Sequence, residues 1–280
     1  MEDVDRGAKV GLRWAKGPFE LMNRIGVGNA YQMAESYAEL CKLSDGSSSW
    51  KVPEFFKHQA SSNQSWNFSY VDTNIVNGVA TLTINRPEAM NALNETVVNQ
   101  LTKAIDKVNS DDSVNTIVID GAGKAFVAGA DVKFFVDKIR AEAIPEIYEF
   151  TAQGHQLLNM IESSEKTTIA LTTGLALGGG LELALSCDYR IGTRRTSFRF
   201  PETSIGIYPG LGGTQRPPRI CGIPAARYAV LAGNHVDSQT AMDLGLITHL
   251  VDTNEINQTI ENIQSIGKPK EKYPAKPANP

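Results

Sequence analysis

With 280 residues, the chain has room for one large domain, or one large and one small. It is 41% hydrophobic and 21% charged with a net charge of −4, an ordinary globular balance that gives no reason to propose nucleic acid or an anionic membrane as partner. The three cysteines, Cys41, Cys187 and Cys221, are scattered, with neither a disulfide framework nor metal-ligand spacing, and read as free thiols of a reducing compartment.

The opening MEDVDRGAKV lacks the apolar core of a secretory signal, and no apolar run reaches bilayer length, so a cytoplasmic location is expected. Residues 1–64 read as a separate helical segment plus linker. Leu, Phe, Met, Ile and Tyr recur there at helical spacing, and Gly17-Pro18 predicts a helix start near Phe19. The pair Gly26 and Gly28 is no dinucleotide fingerprint, because the third glycine and the preceding strand are missing. From Phe68 the pattern alternates. FSYVDTN and VATLTINR flank Asn77-Gly78, a hairpin signal. ETVVNQLTKAIDKVNSD predicts a helix, NTIVIDGAG a buried strand, and further helices begin near Val132 and Pro145. KTTIALTTG is a strand, ELALS a helix and DYRIGTR another strand. This alternation predicts an α/β fold with a mainly parallel sheet. A helix over NEINQTIENIQSIG closes residues 65–267, and the Pro/Lys-rich tail 268–280 is expected to be extended or disordered.

Two glycine-rich loops carry the chemistry. LALGGGLELAL places Gly178, Gly179 and Gly180 before a helix that contains one acid, Glu182, and FVAGADVKFF repeats the strand–glycine–helix pattern. Such loops expose N–H groups to a ligand. No Lys-Ser or Lys-Thr pair follows the glycines, so an oxyanion is favoured over a phosphate. Glu182 and Glu202 are the two carboxylates placed to divide acid and base work. Read structurally, Glu182 would be only a helix-start acid, Glu202 a solvent-facing one, and Asp131 a helix cap. Lys124, Lys133 and Arg86 read as solvated, the four histidines as structural or surface groups, and Cys187 as a small buried residue.

Five motifs stand in order over residues 68–252. They are INRPEAMNAL (84–93), AGAD (Ala128 to Asp131), GGG-x-E (Gly178 to Glu182), Cys187-Asp188, and Pro201-Glu202 followed by Gly206 through Arg216. The set resembles the crotonase superfamily and, with both glutamates present, most resembles enoyl-CoA hydratases. The resemblance implies stacked ββα turns, an acyl-CoA thioester substrate with coenzyme A as part of it, and no separate cofactor or metal. It implies an oxyanion hole from the N–H groups of Ala130 and Gly179. It makes Glu182 the base toward water and Glu202 the acid toward Cα, with Ala128, Asp131, Val132, Gly178 and Gly210 lining the substrate. A homo-oligomer, trimer or hexamer, comes with the family. The chain departs from the common pattern at Thr167, where proline is frequent, and at Pro217, which can only start a helix. WAKGPFELMNRIG resembles a fragment of the C-terminal domain of 3-hydroxyacyl-CoA dehydrogenases, as in dehydrogenase–hydratase fusions; the dinucleotide-binding part is missing, and no dehydrogenase activity is expected. Two alternatives remain: a Δ3-Δ2-enoyl-CoA isomerase, which needs one glutamate, and a non-catalytic CoA-thioester-binding assembly partner, suggested by proline-rich sequence where family helices usually stand.

Overall fold

In a computed structural model that describes residues 1–43, 50–62, 64–271 and 273, the chain divides into two units, Met1–Ser69 and Tyr70–Pro280. The first holds helices α1 (Glu2–Gly11), α2 (Pro18–Ile25), α3 (Val27–Leu40) and α4 (Glu54–Ser61). Pro18 opens α2, where a missing N–H costs nothing. The buried Asp5 carboxylate of α1 accepts from the Phe19 and Glu20 N–H groups at 2.8 and 2.9 Å, satisfying two donors that the helix start leaves over. Val27, Ala30, Phe56 and Trp66 form this unit's core, with Phe19 edge-on to Trp66 at 5.1 Å.

The second unit begins with the hairpin β1 (Val71–Val76) and β2 (Val79–Ile84). Asn77 and Gly78 both have positive φ, 50° and 81°, the backbone that a two-residue turn needs to match strand twist. Helix α5 (Glu95–Asn109) buries the stripe Val97, Val98, Leu101, Ile105 and Val108. Its N-cap, Asn94, accepts from Val97 N–H at 2.9 Å. Asn94→Ala is expected to cost about 1 kcal/mol of stability, read as a lower urea midpoint at unchanged slope.

The chain then climbs in ββα turns. β3 (Thr116–Gly121) leads to β4 (Ala125–Ala128), then α6 (Val132–Arg140) and α7 (Ile144–Ser163). β5 (Thr167–Thr172) leads to β6 (Leu175–Leu177) and α8 (Gly179–Ser186). β7 (Tyr189–Gly192) leads to β8 (Ser197–Arg199), a 3-10 turn (Glu202–Ile205) and α9 (Arg216–Ala232). The unit closes with β9 (Val236–Asp237), α10 (Ser238–Asp243), β10 (His249–Leu250) and α11 (Ile256–Ile266).

The first strand of each turn joins one sheet, ordered β1-β2-β3-β5-β7-β10, and the second joins another, ordered β4-β6-β8-β9. Apart from the hairpin, the large sheet pairs in parallel, as the alternation predicted. The second sheet follows from the ββα turns that the resemblance implied, but the residue pattern alone did not show it. The loop 126–135 was expected to follow NTIVIDGAG directly, and instead Ala125–Ala128 is itself a strand. Two departures from the family pattern have local reasons. The Thr167 N–H donates to the Asn115 carbonyl at 3.0 Å, a bond that proline could not make. Pro217 sits in the first turn of α9, as expected, and the helix breaks at Gly222, two residues before Pro224. Buried Asp188 accepts from both the N–H and the hydroxyl of Thr168 at 2.9 Å, tying the start of β7 to β5. The tail expectation falls mostly outside the described residues.

Candidate active site

The second sheet places the site. Its strands β4, β6 and β8 run parallel, and Ala128, Leu177 and Arg199 stand side by side at their carboxyl ends. The chain leaves those ends as Gly129-Ala130, Gly178-Gly179 and Pro201-Glu202. Three motifs far apart in sequence therefore emerge together, at the end of a parallel sheet where ligands characteristically bind.

Gly178 is the pivot. Its φ of 46° and ψ of −120° turn β6 sharply into α8. A Cβ there would fall 2.2 Å from Glu202 Oε1, so the absent side chain leaves room for that carboxylate. Gly180 serves packing: a Cβ would fall 2.0 Å from the Val127 carbonyl, and only a bare backbone lets α8 lie so close to β4.

Gly179 and Ala130, the residues expected to supply the two N–H donors, stand close together. A Cβ on Gly179 would stand 3.7 Å from Ala130 N. Leu93 bridges past Ala130, donating to the Gly129 carbonyl and accepting from Asp131 N–H, each at 2.8 Å. That pattern leaves the Ala130 N–H without a partner among the described residues. Gly179 is the first residue of α8, where an N–H has no partner within the helix. Both donors can therefore serve a bound oxygen.

Glu182 lies in the first turn of α8 with 1% of its surface exposed. Its Oε1 accepts from Leu211 N–H at 2.7 Å and Gly213 N–H at 2.6 Å. Burial pushes its pKa up to about 7. The nearby Glu202 charge adds to the rise, while the two N–H donors and Arg216 pull against it. Because Oε1 is fixed as an acceptor, a proton on Glu182 belongs on Oε2. Glu202 is half-buried, its pKa also raised by burial, and its Oε2 has no hydrogen-bond partner among the described residues. An unpartnered buried carboxyl oxygen is costly as an anion and cheaper as a proton donor. The Glu202 charge raises the Glu182 pKa, so ionising one carboxyl disfavours ionising the other.

The remaining residues fall around this centre. Asp131 caps α6 through Lys133 N–H at 3.2 Å and pairs with Arg86 at 3.0 Å, a structural task that matches the helix-cap reading. Ala128 is half-buried at the end of β4, Val132 is exposed at the start of α6, and Gly210 is half-buried beside buried Pro209. Cys187 is fully buried. Of the histidines, His235 approaches Ser197 Oγ at 3.0 Å, and the His249 ring lies 5.8 Å from that of Tyr189, tilted by 56°. Among the described residues no cluster of metal-ligating side chains occurs, and no helix is long and apolar enough to cross a membrane. Sequence reasoning missed the backbone donors of Leu211 and Gly213, and it missed Arg216 with its partner Glu162. The GGTQR string was the signal for the turn and Arg216, and Glu162 had none.

A family model described as enoyl-CoA hydratase/isomerase matches residues 79–277. The crotonyl-CoA hydratase of Syntrophomonas wolfei is 40% identical over 186 residues, covering 66% of this chain and 70% of that one. The short-chain-enoyl-CoA hydratase of Clostridium acetobutylicum is 37% identical over 186 residues with the same coverage, 66% and 70%. Among solved structures, the enoyl-CoA hydratase from Thermoplasma volcanium superposes with a TM-score of 0.65 at 35% identity, covering 72% of this chain and 79% of that one. The Bacillus halodurans enoyl-CoA hydratase gives a TM-score of 0.68 at 29% identity, with 71% and 80% covered. The stacked ββα turns are thus the crotonase fold, and the chain belongs to the enoyl-CoA hydratase/isomerase family.

Proposed function

We propose that the chain is an enoyl-CoA hydratase, adding water reversibly to a trans-2-enoyl-CoA to give a 3-hydroxyacyl-CoA. The observation that carries this reading is a pair of carboxylates, Glu182 anchored by two N–H donors and Glu202 packed against Gly178 with a bare oxygen. The Glu182 carboxylate takes a proton from water as the water oxygen bonds to Cβ. The C=C electron pair moves onto the thioester oxygen, giving an enolate held by the Ala130 and Gly179 N–H groups. Such donors gain strength as charge develops in a water-poor site. Glu202, protonated at the start, gives its proton to Cα as the enolate collapses. One proton has then left Glu202 and one has reached Glu182, and exchange with solvent restores the pair. Ala128, Val132, Gly178 and Gly210 line the path, and Asp131 supports the loop through Arg86. Coenzyme A enters as part of the substrate, so no separate cofactor is needed. This reading carries with it a cytoplasmic homo-oligomer, trimer or hexamer, checked by light scattering. It treats residues 1–64 as kin to a dehydrogenase C-terminal domain without dehydrogenase activity.

The test mixes purified protein with crotonyl-CoA and follows loss of the conjugated enoyl-thioester absorbance. Steady loss with 3-hydroxybutyryl-CoA as product supports the hydratase. Conversion of a 3-enoyl-CoA without hydration of crotonyl-CoA would favour the isomerase, and binding without turnover would favour the assembly partner.

A further inference from the structure

Behind Glu182 lies a second, buried layer of charge. Arg216, 6% exposed in the first turn of α9, donates from Nη1 to the Leu211 carbonyl at 2.9 Å. Its Nε and Nη2 reach Glu162 Oε2 of α7 at 3.2 and 2.7 Å. The Tyr273 hydroxyl donates to the other oxygen of Glu162. On the far side of the turn, the Gln215 and Arg216 N–H groups both donate to the Gly212 carbonyl at 2.9 Å. The Leu211–Gly213 turn, which holds Glu182 Oε1 by its two N–H groups, is therefore pinned by its carbonyls as well.

We propose that Arg216, oriented by Glu162, is a positioning residue for Glu182: it fixes the turn that holds the carboxylate and sets a positive charge behind it. The proposal rests on the reading of Glu182 as the base. A planar guanidinium suits this task, because its fork can serve a carbonyl and a carboxylate at once, whereas an ammonium is a single point charge. The groups whose charge bears on Glu182 are Glu202 from the turn after β8 and Arg216 from α9. Arg216 itself faces Glu162 from α7, which Tyr273 also contacts.

The charges make opposite predictions for two variants. Arg216→Gln removes the cation and is expected to move the Glu182 titration upward by roughly one pH unit, whereas Glu162→Gln leaves the cation uncompensated and moves it downward. Arg216→Lys keeps the charge and leaves the titration near wild type, yet kcat falls roughly ten- to a hundredfold at similar KM because the turn loosens. A merely structural role would lower activity without splitting the titrations in opposite directions. The full chain is labelled with 13C at the Glu side-chain carboxyl, and the Glu182 signal is identified by its absence from Glu182→Gln. Its titration is then followed by NMR beside the pH profile of kcat/KM on crotonyl-CoA. Titrations that shift as described support the proposal. A Glu182 titration unmoved in both folded charge variants overturns it. Glu162, with a side chain 26% exposed, carries the test if Arg216→Gln does not fold. A wild type that hydrates no enoyl-CoA but shows the NMR shifts would sink the hydratase reading and leave the positioning role standing. An active wild type with unmoved titrations would do the reverse.

Discussion

Glu182→Gln is expected to lose roughly 100- to 10,000-fold in kcat on crotonyl-CoA and, at pH 8, to be more stable than the wild type. The first effect follows from removal of the base. The second follows from where the carboxylate sits. Unfolded, the group titrates near the ordinary 4.5; folded, burial pushes it up to about 7. A carboxyl with a raised folded pKa favours the fold in its protonated form. Its stabilising contribution is fully present below pH 4.5 and is lost as pH rises through 7. Above that, the wild type carries a desolvated anion costing about 3 kcal/mol, at 1.36 kcal/mol per pKa unit. Glutamine keeps an oxygen for the Leu211 and Gly213 N–H groups and carries no charge. The variant should therefore melt roughly 5–10 °C higher at pH 8 and close to the wild type at pH 4.5. Paired melts at the two pH values check it, and an equal shift at both would refute the linkage. The same rise places the acid limb of the wild-type kcat/KM profile near pH 7, with activity falling below it as Glu182 takes up a proton. Opposite changes in activity and stability are the expected signature of a strained functional group.

How much of this was legible depended on the kind of signal. The hairpin was readable because Asn77-Gly78 needs two positive φ values that few residues tolerate. α5 was readable from its apolar stripe. The second sheet was not. Ala125–Ala128, Leu175–Leu177 and Ser197–Arg199 are three or four residues long, too short to show periodicity. Yet their shared end is what gathers Ala130, Gly179 and Glu202, three motifs that the residue pattern only set in order and that the family resemblance alone assigned to one site. Glu182 drew notice because a charged group rarely sits at the start of a buried apolar run. What holds it did not, since backbone N–H groups 29 and 31 residues away have no letter of their own. Arg216 entered the sequence reading only as the last letter of a motif and Glu162 not at all, because 54 residues separate the pair that the fold brings together. Pairing of this kind becomes visible only once tertiary contacts exist.

Gly178→Ala tests whether Glu202 owes its place to a missing methyl group. The added Cβ would lie 2.2 Å from Oε1 and 3.0 Å from Cδ of Glu202, so the carboxylate must retreat by about an ångström, a misplacement that typically costs roughly 100-fold in rate. The backbone adds its own penalty, because φ of 46° with ψ of −120° is strained for any residue with a Cβ, at about 1–3 kcal/mol. Two routes to lost activity are thus open: displacement of the acid, or a shift of the neighbouring Gly179 N–H. A double-mutant cycle separates them. If alanine at 178 acts only by moving Glu202, then adding it to Glu202→Ala changes kcat by less than about twofold, because no carboxylate remains to be displaced. If the double variant instead falls roughly a further 100-fold or more, the oxyanion donor has moved as well. Binding of a thioester product analogue discriminates in parallel, since loss of the acid leaves ground-state affinity nearly intact while loss of a donor weakens it. Full additivity with unimpaired binding would contradict both routes and remove Gly178 from the catalytic argument.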